Sequence, residues 1–421
     1  MGPVITASGA LLLDCEDVAW FRDRSEAARG AAAALGRRIG LSAHRTAELV
    51  LAVTELTSNI TKYTADGSML LRVVRNRDVA GVEVVVVDGG PGMADVPQAL
   101  QDGTSSTGTL GIGLGAVQRL ADTFDIHSVP GLGTLQLARF WPRPLHPSVT
   151  GEPAVGGITR PIGGEEVCGD AWAARTGPGG DTAYSEPGDE RNGPAEESRT
   201  APDWAALTAA GPSFEQRRTA RPVPARAVPP HAPARTAPSE PKRRSALVRG
   251  AAAGPREGIL VMSCDGLGHG PMAALASQAA VKAFRTGMGR TPEQVVEEVH
   301  RALRGTRGAA LAVARLEPDG RVLFCGIGNI TAAVVGDGTR ANLLSHPGIV
   351  GHQMRQLRTY EHHLPALGAL VMHSDGLSDR WTSADLDPVL HHPPTLIAAA
   401  LLRLAGTRRD DASAVVARRS R

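Results

Sequence analysis

The stretch Val82-Glu83-Val84-Val85-Val86-Val87-Asp88-Gly89-Gly90-Pro91-Gly92 decides how the first third of this chain folds. A continuous run of valines does not alternate between core and water, so it predicts a buried strand. The run stops on a carboxylate followed by glycines. An acid at a strand end can accept a hydrogen bond from an exocyclic amine, and the glycines let backbone approach a flat ring. Read alone, the same residues also suit a plain tight turn.

Working outward, helix signals precede this strand at 25–40 and 43–63, and a further strand signal lies at 69–75. The second helix has Ser42 as its N-cap and apolar positions at Leu49, Val50, Val53, Leu56 and Ile60. It carries Glu55-Leu-Thr-Ser-Asn59, which puts a carboxylate and an amide on one face. One suits a general base and the other an oxygen ligand for Mg²⁺, although the same pair also decorates solvated helices. Downstream, Gly111-Ile-Gly-Leu-Gly115 opens a helix expected over 113–124, where free N–H groups and the helix dipole favour phosphate. A dinucleotide fingerprint is excluded, because the spacing is GxGxG and no strand immediately precedes it. A strand at 134–140 follows.

At 421 residues the chain predicts two domains and spare length. Its 45 basic and 43 acidic residues leave a net charge of +2, which argues against a dedicated nucleic-acid binder. Four cysteines without CxxC spacing, no basic stretch ahead of an apolar N-terminal run, and no apolar run of about 18 residues predict a reduced cytoplasmic protein without a membrane span. Residues 176–257 hold 13 of the 30 prolines and lose apolar periodicity, so a disordered insert is expected there. Its charges are segregated: seven acids against two arginines over 181–203, then ten basic residues against one acid over 217–256. It reads as a tolerated surface insertion, or as a segment whose basic half meets an acidic partner or its own acidic half.

Beyond the insert, strands are expected at 259–264, 309–316, 322–327, 331–336, 370–373 and 414–417, with helices at 273–285 and 292–303. Acids recur in turns around them: Cys168-Gly-Asp170, Asp265-Gly-Leu-Gly-His-Gly270, Ser374-Asp375-Gly376 and Asp410-Asp411. Any one is ordinarily a turn. Carboxylates gathered at strand ends without His or Cys select Mg²⁺ or Mn²⁺ over zinc. A pair of such ions about 3.5–4 Å apart can lower the pKa of a water and clamp a phosphoryl group. His269 is read as structural or beside this site, Glu165 and Glu166 as solvated or salt-bridged, Cys168 and Cys264 as packing residues or a redox pair, and Trp172 and Trp381 as core or interface.

In this order, the motifs around Glu55–Asn59, Asp88–Gly92 and Gly111–Gly115 resemble the N, G1 and G2 boxes of the GHKL ATPase/kinase superfamily. The likeness is to the bacterial serine kinases and anti-sigma factors of partner-switching stress pathways. It implies Glu55 as general base, Asn59 as Mg²⁺ ligand and Asp88 as the adenine contact. Gly90 and Gly92 would stand in the pocket wall, Lys62, Gly111, Gly113 and Gly115 on the phosphate side, and Thr134 at the Gly-Thr that follows. The second set, with Gly163-Gly-Glu-Glu-Val-Cys-Gly-Asp170 and Gly328-Asn329, resembles SpoIIE-type metal-dependent serine/threonine phosphatases. That likeness implies two Mn²⁺ or Mg²⁺ ions bridged by Asp170 and Asp265, which are also the catalytic pair, with the Gly266 carbonyl, Asp375 and Asp410 completing the set. Asp411 is read as supporting or as a turn residue. The insert between the first two acids departs from that family's short strand pair and puts the local sheet edge in doubt.

The expected class is therefore α+β. Residues 1–145 would form a Bergerat-type α/β sandwich, a mixed sheet covered by helices that binds ATP and Mg²⁺. Residues 146–421 would form an α-β-β-α phosphatase sandwich interrupted by 176–257. The expected function is a cytoplasmic partner-switching regulator, kinase and phosphatase in one chain, acting on a STAS-type antagonist, with a sigma or switch factor as a further implied partner. ATP occupancy would bias which activity dominates. The competing reading is an ATP-binding sequestration module with little turnover, beside a phosphatase of unrelated substrate.

Overall fold

The computed structural model describes residues 10–22, 25–64, 66–101, 113–163, 165–177, 257–354 and 356–419. Gly111 and all but the ends of the expected insert lie outside them. Three sheets organise the rest. The first holds β1 (Asp14–Phe21), β2 (Gly67–Asn76), β3 (Val79–Asp88), β4 (Thr123–Val129) and β5 (Gly133–Phe140), in the order β1-β2-β3-β5-β4. Every pairing in it is antiparallel, so this sheet is not the mixed one expected. Two long helices, α1 (Ser25–Arg38) and α2 (Ala43–Tyr63), cover one face with two shorter ones, α3 (Val96–Ala99) and α4 (Gly113–Leu120). Ser42 caps α2 by accepting from the Arg45 N–H, as its position indicates.

The helix expected over 113–124 stops at Leu120, and the chain turns at once into β4. Asp122 enforces the change. Its backbone N–H donates to Arg139 O across the sheet, and its carboxylate accepts from the Trp141 N–H and pairs with buried Arg45.

The second half is a sandwich of two sheets between helices. One sheet joins β7 (Asp170–Thr176), β8 (Ile259–Gly266), β9 (Ala309–Leu316), β10 (Arg321–Ile327) and β13 (Ser345–His346), with β14 (Tyr360–His363) also on β10. The other runs β12 (Thr339–Leu343), β11 (Thr331–Gly336), β15 (Ala369–His373), β16 (Ala412–Ala417) and β6 (Val155–Arg160). Between them lies an apolar layer that includes Val261, Phe324, Met372 and Val415. Outside the first sheet pack α5 (Pro271–Thr286) and α6 (Pro292–Ala302). Outside the second lie α7 (Ser383–Leu386) and α8 (Pro394–Ala405). The doubtful sheet edge is intact: β7 and β8 pair from Asp170↔Asp265 to Thr176↔Ile259, so the long sequence between them leaves and returns at neighbouring strand ends.

Helix α8 belongs to both halves. Its sequence, PTLIAAALLRLA, is apolar around most of its circumference, the pattern of a helix with no free face. One side meets Ile158, Val371 and Val416 of its own sheet, and the other meets Leu70, Val85, Val87, Leu135 and Leu137 on the back of the first sheet. Burying Leu396, Ile397, Leu401 and Leu402 stabilises the junction by about 1.5–3 kcal/mol each. Polar contacts fix its register: Arg72 Nη1 donates to Gly157 O at 2.8 Å and Trp20 Nε1 to Thr159 O at 2.7 Å. Arg72 itself is buried in a triad with Glu83 and Arg139. Burial pushes the Glu83 carboxyl up, but the two guanidinia outweigh it and hold it below the usual carboxylate range.

Candidate functional site

Two sites stand on this frame. The first is a cavity of about 760 Å³ between α2, the Asp88 turn and α4. Of the residues the sequence singled out, it is lined by Glu55, Asn59, Lys62, Asp88, Gly92, Gly113 and Thr134. Glu55 and Asn59 share the cavity because α2 places i and i+4 on one face. Asp88 ends β3 opposite Thr134. Its Oδ1 accepts from Gly90 N at 2.9 Å and Thr134 N at 3.2 Å, so one carboxylate oxygen is locked to backbone. Burial pushes the Asp88 carboxyl up, and those two N–H groups pull it back.

Close backbone approach is what the glycines supply. At Gly92, with φ +66°, a Cβ would lie 2.1 Å from Val129 O, and at Gly133, with φ +97°, 2.1 Å from Asp88 O. Gly90 acts through its N–H on Asp88. Gly115 is buried within α4 and does not line the cavity. The sequence reading missed Gln136 and the stretch Met93–Asp95 on the wall. Gln136 was findable: it interrupts the apolar run of β5 two residues after Thr134, hence on the same face.

The second site is the meeting point of Asp170, Asp265, Asp375 and Asp410. Asp170 and Asp265 are directly opposite across β7 and β8. Burial raises the Asp265 carboxyl first, then repulsion from Asp170, Asp375 and Asp410. Asp170 is raised by burial too, against the pull of the Ser374 and Ser413 hydroxyls, and Asp411 and Asp375 push it further. Asp375 is raised by burial and by Asp410, while Asn329 Nδ2 donates to its Oδ2 at 2.6 Å. Buried Asp170 Oδ2 accepts no hydrogen bond.

Among the described residues no three His, Cys, Asp or Glu side chains already converge as a finished metal cage. The donor set nevertheless fits hard divalent cations. It is all oxygen, its members repel one another, and one buried oxygen has no donor. Gly266 is buried beside Asp265, where a Cβ would lie 2.4 Å from Ala273 O.

Asp411 is a brace: Oδ1 accepts from Ile162 N and Oδ2 from Gly169 N, both at 2.8 Å, which fixes the loop entering Asp170. His269 pairs with Glu165 at 3.2 Å. Cys168 and Cys264 are free thiols, both pushed up first by burial. Trp381 is buried under Arg340, and half-buried Trp172 packs against Gly157.

A single segment joins the two sites. Arg403 Nη1 reaches Asp88 O at 3.4 Å, and Arg408, at φ +59°, pairs with Asp66, whose carbonyl accepts from Gly89 N. Between them Thr407 N donates to Gly376 O at 2.9 Å, and Asp410 follows. Among the described residues no helix is long and apolar enough to cross a membrane.

Comparison with known proteins finds two separate matches along the chain. A model of the histidine kinase-like ATPase domain matches residues 22–139, and a model of stage II sporulation protein E (SpoIIE) matches 255–420. The second match begins after Asp170. The serine/threonine-protein kinase RsbT of Bacillus subtilis (strain 168) is 35% identical over 117 residues, 28% of this chain and 88% of that protein. A solved chain of the bacterial stressosome, described as a modular system adapted to control secondary messenger signaling, is similar at TM-score 0.41 and 21% identity, over 63% of this chain and 98% of its own. The phosphatase domain of Bacillus subtilis SpoIIE, with a fragment of its regulatory domain, is similar at TM-score 0.37 and 11% identity, over 80% and 79%.

Proposed function

The chain belongs to the RsbT family of histidine-kinase-like ATPase domains, continued here by a SpoIIE-type domain, and on that premise we propose that it is a cytoplasmic partner-switching regulator with two opposed activities. The cavity of the first half takes Mg-ATP. Asp88 holds the base, Asn59 offers its carbonyl oxygen to Mg²⁺, and Lys62 with the α4 N-terminus at Gly113 faces the phosphates. Glu55 accepts the proton of a serine hydroxyl on a STAS-type antagonist protein as that oxygen takes the γ-phosphoryl group and ADP leaves.

The second half removes the phosphate. Asp170, Asp265, the Gly266 carbonyl, Asp375 and Asp410 would hold two Mn²⁺ or Mg²⁺ ions, which would supply a water of lowered pKa and a clamp on the phosphoryl oxygens. Asn329 keeps Asp375 turned inward, and Asp411 keeps the loop before Asp170 in place. The observation that carries the phosphatase reading is the uncompensated carboxylate cluster with its donorless Asp170 oxygen.

The test is hydrolysis of an aryl phosphate by the full chain with added Mn²⁺. Turnover that disappears in Asp375→Ala is expected, and turnover unchanged in that variant sinks the assignment. For the kinase half, transfer of labelled phosphate to the antagonist should vanish in Glu55→Ala while the partner still binds. If the wild-type chain binds the antagonist and ATP without transferring phosphate, the sequestration reading takes its place.

Coupling of the two activities is part of this reading, and the segment from Arg403 to Asp410 supports it, because it touches the Asp88 turn at one end and supplies a metal acid at the other. At constant Mg²⁺, ADP should slow amide exchange over 374–378 and 405–411 and should not do so in the Arg403→Ala/Arg408→Ala double variant. Unchanged exchange in wild type with ADP bound removes the coupling.

A further inference from the structure

Helix α5, which follows the Asp265 loop, is apolar in part on the side it shows to water. Its inner side buries Ala276, Ala280 and Phe284 against the sheet of β7 to β10. Its outward face begins with Met272, 51% exposed, and Leu275, 57% exposed, three residues apart and so neighbours on the surface. Leu267, in the loop before the helix, adds another large apolar side chain, 37% exposed. Further along the outward face come Gln278, Lys282 and Thr286, all exposed. A solitary exposed leucine needs no account, but large apolar side chains gathered at the end of a helix nearest the acids do.

The chain around the cluster fixes their place. A Cβ on Gly266 would lie 2.4 Å from Ala273 O, and one on Gly169 would lie 2.7 Å from the Ala273 Cβ. The first turn of α5 therefore rests on the residues next to both Asp265 and Asp170. Leu267 N donates to Gly308 O at 3.1 Å, and Gly308 N donates to Thr306 Oγ1 at 3.0 Å, which pins the backbone around Arg307. Gly268, at φ +88°, makes room for that arginine, since a Cβ there would lie 3.0 Å from Arg307 Nη1. Arg307 is exposed, and no hydrogen bond or ion pair to its guanidinium is found among the described residues. An apolar patch with an unpaired cation at its edge thus borders the acids.

Phosphoserine is a short side chain. For its phosphate to reach the cluster, the protein that carries it must come down on the surface beside the acids, and the first turn of α5 is part of that surface. We propose that Leu267, Met272 and Leu275, with Arg307 at their edge, form the docking surface for the phosphorylated antagonist protein. Apolar side chains of the antagonist pack on the helix turn, and a carboxylate near its phosphoserine pairs with the guanidinium. A small phosphate ester has nothing to lay on this patch, so the surface selects a folded protein substrate without taking part in hydrolysis. The inference rests on the reading of the cluster as a phosphoserine phosphatase.

The experiment measures Mn²⁺-dependent phosphate release by the full chain from an aryl phosphate and from a STAS-domain protein carrying phosphoserine. The chains compared are wild type, the Met272→Gln/Leu275→Gln double variant and Arg307→Ala. Glutamine keeps the length and helix propensity of the side chains it replaces and removes their apolar contact. Melting temperatures should hold, because all three positions are exposed. On the aryl phosphate both variants should match wild type. On the phosphoprotein the double variant should lose about tenfold in kcat/KM, through a higher KM. Arg307→Ala should lose less and should flatten the fall of rate with added salt. An equal loss on both substrates means that the turn shapes the acid loop, and overturns the assignment, as does an unchanged rate on the phosphoprotein. A wild type that hydrolyses the aryl ester and not the phosphoprotein leaves the phosphatase reading standing and overturns this inference alone. If wild type hydrolyses neither, the phosphatase reading has failed, and this inference with it.

Discussion

The two candidate sites handle charge in opposite ways. At the cavity the fold has done the work in advance: Asp88 is held by two backbone N–H groups, and glycines admit the backbone where a Cβ would collide. At the acid cluster the fold does the reverse, gathering four carboxylates, raising the proton affinity of Asp170, Asp265 and Asp375 by burial and mutual repulsion, and leaving a buried oxygen without a donor. A third place, the Arg72–Glu83–Arg139 triad, shows that this chain compensates a buried carboxylate where none is needed for a ligand. An uncompensated acid is thus a local choice, and it marks the place where a cation is expected.

The contrast can be broken most severely at the cluster. Asp265→Asn removes one of the repelling charges. Metal-dependent hydrolysis should fall by about 100-fold or more, since loss of a metal ligand forfeits several kcal/mol of charge stabilisation. The metal-free protein should melt higher than wild type, and added Mn²⁺ should no longer raise its melting temperature. A variant that melts lower without metal would mean the acids are not in conflict.

Glu83→Ala makes the opposite change, turning a compensated site into two buried unpaired guanidinia. We expect a loss of about 3–5 kcal/mol in denaturant unfolding. Because α8 spans both halves, both should unfold in one transition. Two separate transitions would contradict the shared core.

Gly92→Ala tests how far the cavity is preformed. At φ +66°, with Val129 O 2.1 Å from the new Cβ, the turn must move. A cost of about 1–3 kcal/mol and weaker nucleotide binding should appear together in melting and titration. Unaltered ADP affinity would show that the turn is not part of the pocket.

The smallest effect concerns the junction. His127 Nδ1 lies 3.2 Å from His392 Nε2, and His392 Nδ1 3.0 Å from Asp125. Burial, then His392, Arg403 and His391, push His127 from 6.5 down to about 4, against the pull of Asp125. The folded form thus stays neutral where the unfolded chain takes up a proton. Stability present above pH 6.5 should therefore decline as the pH falls from there towards 4. His127→Gln should flatten that part of the profile modestly, since the ring is partly exposed. An unchanged slope would rule out His127 as its source.

Much of this was readable from local signals. Valine runs announced β3, the acids at strand ends announced the cluster, and Ser42 announced the start of α2. What escaped needs three dimensions. The turn from α4 into β4 depends on Asp122 finding Arg45 and Arg139, far away in sequence. The roles of Asn329 and Asp411 depend on loops that meet only in the folded chain. The docking of α8 on the first sheet had a visible trace, a helix with hardly any polar side, but periodicity alone does not say what covers it.

That shared helix has a consequence for quantity as well as shape. Two proteins that meet by diffusion act according to how much of each the cell makes and how tightly they hold. Here the ratio is one to one by covalent bond, and there is no dissociation constant between the halves to exceed or fall below. If both proposed activities act on one partner, the ratio between them is then the same however much of this chain is expressed.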